Sequence, residues 1–275
     1  LHGWAGLQAR LAERSPQDVA VIGAGMIGCE IAEDLARAGH RVTLMDRQSL
    51  PLANLLPEPA ARRLNAAQRQ LGIELLGDVE IASLTSLADD VAATKRALAR
   101  QDGPAILVGH SWGGTVITEA GVDPKVAGLV YVSALSPDAG ETTAQQYEGF
   151  VTPAEFVIDT QGDGFGVVKA ENFKIGFAAD ASDADAAFMR DSQVPINLSA
   201  FGTKLTQAAW RSKPSWAVIA TDDKAFDLRM LRHMADRIGA EVTEVPASHA
   251  VFMTQPKVVA DVIDQAATES PRKAR

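Results

Sequence analysis

Short apolar runs, separated by glycine, proline and amphipathic stretches, follow one another along this chain in an order that predicts strands alternating with helices. Trp4, Leu7 and Leu11 stand at helical spacing, and Ser15-Pro16 ends that helix before the apolar run Val19 to Ile22. Gly23-Ala24-Gly25-Met26-Ile27-Gly28 then opens a helix from about Met26 to Ala38; Gly39 ends it, and Arg41 to Met45 reads as a second strand finishing at Asp46. Pro57 and Pro59 precede a helix from about Ala60 to Leu71, Gly72 caps it, and Ile73 to Leu76 reads as a third strand. Gly77 to Ser86 has no clear period and marks a seam.

Beyond the seam, Leu87, Val91 and Leu98 define a crossover helix to Arg100, broken by Gly103-Pro104. Ala105 to Gly109 reads as a buried strand, Thr115 to Ala120 as a helix, Val126 to Ser133 and Trp216 to Ala220 as strands. A helix over about Asp227 to Ile238 ends at Gly239, Glu241 to Val245 is the last strand, and Pro256 to Ala267 closes as a helix. Ser136 to Pro214 lacks strand alternation and reads as a helical cap above the sheet. The expected fold is α/β: a single doubly wound parallel sheet with right-handed crossovers.

Composition changes this picture little at first. The 275 residues are 47% hydrophobic, enough for one large or two small domains, and a net charge of -9 argues against a nucleic-acid partner. The single cysteine, Cys29, rules out an intrachain disulfide and fits a reducing cytoplasm, with a small buried hydrophobe as its role. No apolar run reaches the roughly 18 residues of a membrane helix, so a soluble protein without a membrane partner is expected. The chain opens at Leu1 without a methionine, which points to processing, a removed tag or an excised fragment. A bias along the chain is more telling: every Lys or Arg before Lys95 is arginine, and all nine phenylalanines lie at or beyond Phe150.

Candidate chemistry sits in the second part. Gly109-His110-Ser111-Trp112-Gly113-Gly114 follows a strand and precedes a helix, the setting in which G-x-S-x-G exposes a serine at a helix N-terminus; Gly109 and Gly113 are expected to be glycine because the turn is too tight for side chains. A serine needs a histidine to take its proton and a carboxylate to orient that histidine. Asp222 and Asp223 follow the Trp216 strand, and His249 follows the last strand, in the order serine, acid, histidine. His110 is expected to pack or hydrogen bond beside the serine, and His233 to be solvated. No His, Cys, Asp or Glu cluster has metal-ligand spacing, so no metal site is assigned.

Residues 84–267 resemble bacterial α/β-hydrolases of the esterase and hydroxynitrile-lyase-like group, through S-L-A-D-D-V, I-L-V-G-H-S-W-G-G, V-A-G-L-V-Y-V-S-A, K-P-S-W-A-V-I-A-T-D-D and A-S-H. The resemblance implies Ser111 as nucleophile, His249 as base, Asp223 rather than Asp222 as acid, and the Trp112 amide as one oxyanion donor. Such hydrolases open with a strand and an H-G-x loop supplying the second donor, and that portion is replaced here. Residues 1–82 resemble instead the NADH-binding segment of flavin-dependent reductases of the rubredoxin or ferredoxin reductase kind, through V-A-V-I-G-A-G-M-I-G-C-E-I-A-E-D-L and V-T-L-M-D-R.

In that pattern Gly23 makes the turn, Gly25 admits a pyrophosphate, Gly28 lets helix and sheet pack, and Asp46 holds ribose hydroxyls. The two resemblances imply that, if Val19 to Ile22 lies beside the Ala105 strand, the halves share one sheet of order Ile73, Arg41, Val19, Ala105, Val126, Trp216, Glu241; Gly23-Ala24-Gly25 then takes the place of the missing loop, and the amide of Ala24 or Gly25 becomes the second oxyanion donor. The same placement sets a dinucleotide crossing near Ser111 in conflict with the hydrolase site.

The expected organisation is therefore a Rossmann-like half over 1–82 and a hydrolase portion over 83–275, with its cap at about 136–214, forming one continuous domain. The reading that follows is an engineered chimera that retains a serine hydrolase constellation of weakened activity toward a small-molecule ester and requires no cofactor. Its alternatives are a non-catalytic α/β hybrid and a residual NAD(P)-binding protein.

Overall fold

A computed structural model of the chain describes residues 18–22, 26–37, 39–46, 48–53, 55–76, 86–160 and 162–270. The helix expected around Trp4 to Leu11, the turn Gly23-Ala24-Gly25 and most of the seam lie outside the described residues. By backbone contacts the chain divides into two compact units, 1–82 with 99–105, and 83–98 with 106–275.

In the first unit, β1 (Asp18–Ile22), β2 (Arg41–Met45) and β3 (Ile73–Leu76) form a sheet of order β1-β2-β3 with parallel pairing, Asp18 opposite Arg41 and Val42 opposite Ile73. Helices α1 (Met26–Arg37) and α2 (Glu58–Gln70) are the connections. Pro57 and Pro59 suit the first turn of α2, where no amide partner is lost, and Gly72 ends the approach to β3 at φ 81°, a conformation open to glycine. Cys29, Ala32, Val42, Leu44 and Ile73 make the buried core of the unit, so Cys29 has the packing role its position suggested.

The second unit is built on a sheet of order β10-β9-β5-β4, from β4 (Ala105–Ser111), β5 (Val126–Ala134), β9 (Ser215–Ala220) and β10 (Glu241–Val245). β5 and β9 are almost entirely buried, as expected of central strands covered on both faces; β10, at the edge, exposes most of its residues. The helices are α3 (Leu87–Ala99), α4 (Gly113–Ala120), α7 (Leu228–Arg237) and α9 (Pro256–Glu269), with a short α8 (Val251–Thr254) in the apolar segment after His249.

α7 illustrates the local logic. Asp227 accepts the Arg229 amide at 2.8 Å as N-cap; Met230, Leu231, Met234 and Ala235 are buried, and Gly239 closes the helix at φ 63°. α3 starts with a reciprocal cap: Ser86 Oγ accepts the Asp89 amide at 3.1 Å and donates to the Asp89 carboxylate at 2.7 Å.

Two expectations change. The segment between β5 and β9 is not purely helical: β6 (Ile158–Thr160), β7 (Phe165–Val168) and β8 (Ile196–Asn197) form a small antiparallel sheet, beside helices α5 (Phe173–Phe177) and α6 (Asp183–Asp191). Strands of two to four residues are too short for alternation to register in sequence. The strand orders expected on either side of β4 both hold, but β1-β2-β3 and β10-β9-β5-β4 are described as separate sheets, and a β1–β4 pairing, which one continuous sheet requires, is not among the described pairings.

Gln68, on α2, is 1% exposed, and neither its amide nitrogen nor its amide oxygen has a hydrogen-bond partner among the described residues. An unpaired buried amide costs about 1–3 kcal/mol. Replacing it with the similarly shaped, apolar methionine is expected to stabilise the protein by about 1 kcal/mol or more in urea unfolding; a lower midpoint for Gln68→Met than for the parent would contradict this accounting.

Candidate active site

β4 delivers its last residue, Ser111, into a backbone conformation with φ 54°, one of three positive values outside glycine among the described residues. For a residue with a Cβ this is strained, by roughly 1–3 kcal/mol, and the surroundings hold it. Leu135 donates its amide to the Ser111 carbonyl at 3.1 Å, and the amides of Thr115 and Val116 bond the Trp112 carbonyl, so the chain turns from strand into α4 within one residue.

The glycine requirement differs from the expected one. A Cβ on Gly109 would lie 2.5 Å from the Gly113 carbonyl oxygen, and one on Gly114 would lie 2.2 Å from the carbonyl oxygen of Leu135, whereas one on Gly113 meets nothing within 4 Å. Gly109 is thus constrained as expected, but its partner is Gly114, pressed against the end of β5, and not Gly113.

The acid and base loops are joined by backbone. Beyond the paired ends of β9 and β10, the Thr221 amide donates to Val245 O at 2.9 Å and the Asp222 amide to Ala247 O at 3.1 Å, extending the ladder into both loops. This zipper sets Asp223 against His249: His249 Nδ1 is 2.7 Å from Asp223 Oδ2, with exposures of 0% and 6%. The other carboxylate oxygen, Oδ1, accepts the amides of Ala225 at 2.7 Å and Phe226 at 3.0 Å, which fixes its rotamer. Asp222 is exposed and engages through its backbone, so the choice between the two aspartates falls to Asp223.

An imidazole that donates from Nδ1 to the Asp223 carboxylate keeps its lone pair on Nε2. Nε2 is buried and has no hydrogen-bond partner among the described residues, the Ser111 hydroxyl included. Four rings pack on the imidazole: His110 at 4.5 Å between centroids, Phe177 at 4.9 Å, Phe226 at 5.0 Å and Phe156 at 6.4 Å. His110, next to Ser111 in sequence, also donates from Nε2 to the His249 carbonyl at 2.9 Å, tying the base loop to the elbow. Burial, and then the nearby His249, hold the His110 pKa well below the ordinary imidazole range, so His110 is a neutral strut, the packed and hydrogen-bonded role expected of it. The aromatic ring set was invisible to sequence reasoning, since Phe156 and Phe177 come from the cap.

Trp112, 7% exposed, is the N-cap residue of α4; its amide belongs to the first turn, whose N–H groups have no intrahelical acceptor. The proposed second donors Ala24 and Gly25, together with Gly23, lie outside the described residues, and Gly28 sits near the start of α1. Asp46 follows β2, with Oδ1 accepting the Gln48 amide at 2.7 Å, the geometry of a local turn. His233 is exposed on α7, near the Phe150 ring. Among the described residues no group of three or more His, Cys, Asp or Glu could hold a metal, and no helix is long and apolar enough to cross a membrane.

The model of the Alpha/beta hydrolase family matches residues 1–262. The chain belongs to this family. The match runs through the N-terminal stretch as well as through residues 84–262 of the segment that carried the resemblance in sequence. A pyrethroid hydrolase from Sphingobium faniae has the same fold, with TM-score 0.62 and 20% identity, covering 92% of this chain and 98% of that one. An Arabidopsis methylesterase aligns with TM-score 0.58 and 16% identity, covering 92% and 99%.

The chain also contains a region similar to rubredoxin-NAD(+) reductase of Acinetobacter baylyi, 36% identical over 86 residues, 30% of this chain. The chain spans about a fifth of the length of the curated reductases it matches, 19% and 22% for two of them.

The glycine contacts give a test. Gly114→Ala drives a methyl group into the Leu135 backbone and is expected to destabilise the hydrolase by about 1–3 kcal/mol or more. Gly113→Ala meets open space at the start of a helix and is expected to be neutral or to stabilise by up to about 1 kcal/mol. Thermal unfolding of the two variants decides; equal losses would refute the assignment of the tight contact to Gly114.

Proposed function

We propose that the chain is a serine carboxylic ester hydrolase in which Ser111 is the nucleophile, His249 the general base and acid, and Asp223 the residue that orients His249. The observation that carries this reading is the buried Asp223–His249 pair, with Nδ1 engaged and Nε2 left unpartnered, beside a strained serine elbow.

The chemistry follows from the geometry. Nε2 takes the Ser111 proton as Oγ adds to the ester carbonyl carbon, and the carbonyl oxygen becomes an oxyanion near the N-terminus of α4, where the Trp112 amide donates. The imidazolium formed is stabilised by Asp223 and returns its proton to the leaving alkoxide as the acyl–oxygen bond breaks. Water then attacks the acyl-enzyme with the same base, releasing the acid and restoring Ser111. Unbonded Ser111 and His249 in the resting state are compatible with this cycle, because such contacts often tighten only in the substrate complex.

The reading extends to origin. An engineered recombination of two lineages accounts for arginine alone before Lys95, for a reductase-like region of 86 residues in a hydrolase, and for glycine-loop residues where an H-G-x loop belongs. We place the junction near residue 82, with a Rossmann-like segment before it and the hydrolase portion, cap included, after it. Ala24 or Gly25 would supply the second oxyanion donor; each donor is worth on the order of 10²- to 10³-fold in rate, so a poorly set second donor leaves a slow enzyme. The substrate is a small neutral or cationic ester in the cytoplasm, no cofactor is required, and Asp46 retains a turn role in place of a ribose contact.

With p-nitrophenyl acetate, the parent is expected to hydrolyse ester above background, Ser111→Ala to lose about 10³-fold or more of that rate, and Asp223→Asn about 10⁴-fold where the range allows. Parent and Ser111→Ala proceeding at the same rate would remove the hydrolase reading.

A further inference from the structure

The residue after the nucleophile does more than present an amide. The Trp112 indole Nε1 donates to Asp90 Oδ2 at 2.9 Å, linking the elbow to the first turn of α3. The indole also packs against the Phe201 ring at 4.9 Å between centroids and shares a buried cluster with Leu87, Val91 and Val116. Apolar contacts of this kind keep a ring buried but permit it to slide; a single directional bond from Nε1 fixes its rotation about both side-chain torsions. Trp112 is the hinge between a strained serine and α4, so the orientation of its side chain and that of its amide are set together.

We propose that Asp90 is a positioning residue for the oxyanion donor, acting through the Trp112 indole to aim the Trp112 amide at the developing oxyanion; this rests on the serine hydrolase reading above. Asp90 touches no reacting atom. Burial raises its pKa above the ordinary carboxylate range, the Trp112 bond pulls it down, and neighbouring Asp89 adds to the rise. A solvated acid would be the simpler choice at a helix start, where Asp89 already completes the cap with Ser86. Asp90 therefore has a partner that capping does not explain.

The test compares parent, Asp90→Leu, Asp90→Asn, Trp112→Phe and the Asp90→Leu/Trp112→Phe double variant, with rates normalised to sites labelled by a fluorophosphonate. Asp90→Leu removes the acceptor and Trp112→Phe the donor while keeping a ring against Phe201. Each is expected to lower kcat about tenfold with KM within about twofold, and to weaken a trifluoromethyl ketone, which forms an oxyanion on the serine, by the same factor. The double variant is expected to be no worse than either single one, because both break one interaction. Asp90→Asn keeps an acceptor oxygen and is expected to recover to within about threefold of the parent.

Losses confined to labelled-site number or thermal midpoint, with kcat per site and ketone affinity unchanged, would overturn the positioning role and leave the hydrolase reading intact. Ester turnover that survives Ser111→Ala would overturn both.

Discussion

A histidine and an aspartate removed from water impose the strongest constraint on this structure. Neither side chain can be solvated, so the 2.7 Å bond between them has to be made, and made in one geometry. Desolvation makes such a pair costly unless its remaining polar atoms are satisfied. On Asp223 the amides of Ala225 and Phe226 meet this need. On His249 one atom is left over, Nε2, and a leftover buried nitrogen on an oriented imidazole is the property a general base needs. The pair stands because two parallel strands, β9 and β10, continue their backbone bonding past their own ends, through Thr221 and Asp222, into the loops that carry it. Position in the fold, more than the identity of nearby residues, makes the arrangement possible.

The cap is bound into the same constraint. Phe177 gives its carbonyl to the Ala250 amide at 2.9 Å, directly after His249, and its ring lies against the imidazole. Ala250 is at once part of the base loop and of the apolar cluster formed by Phe173, Ala178 and Ala186 of the cap. Loosening the cap would therefore disturb the base. Phe156, Phe177, Phe226 and His110 stand around the imidazole, and aromatic rings so placed exclude water from the buried pair.

Much of this was legible in sequence where one residue type does one job. G-x-S-x-G after an apolar strand pointed to Ser111, and the order of strands pointed to His249 and to the pair Asp222 and Asp223, between which the family resemblance favoured Asp223. The β-α-β pattern before residue 77 was equally plain, from Gly39 and Gly72 at helix ends and Asp46 at a strand end. What could not be read was contact at long range. Gly114 and Gly113 look alike in sequence, and only the approach of Leu135 from β5 separates them. The cap strands escaped because two to four residues carry no period, and the ring set about His249 because Phe156 and Phe177 lie over seventy positions from it in sequence. The bond from Trp112 to Asp90, across 22 positions, shares that character: both residues were quoted as motif letters, and neither motif says that they meet.

Strain at Ser111 links these levels. A left-handed serine at the end of a strand is disfavoured on its own and persists only where neighbouring structure over-determines it. Here the determinants are identifiable: the Leu135 amide on the Ser111 carbonyl, the close approach of Gly109 to Gly113 O, and that of Gly114 to Leu135 O. All of them join β4, α4 and the end of β5, so the strain is borne by the central sheet. An elbow formed this way is held by contacts within β4, α4 and the end of β5, so the strained serine is fixed by the same backbone that forms the sheet around it.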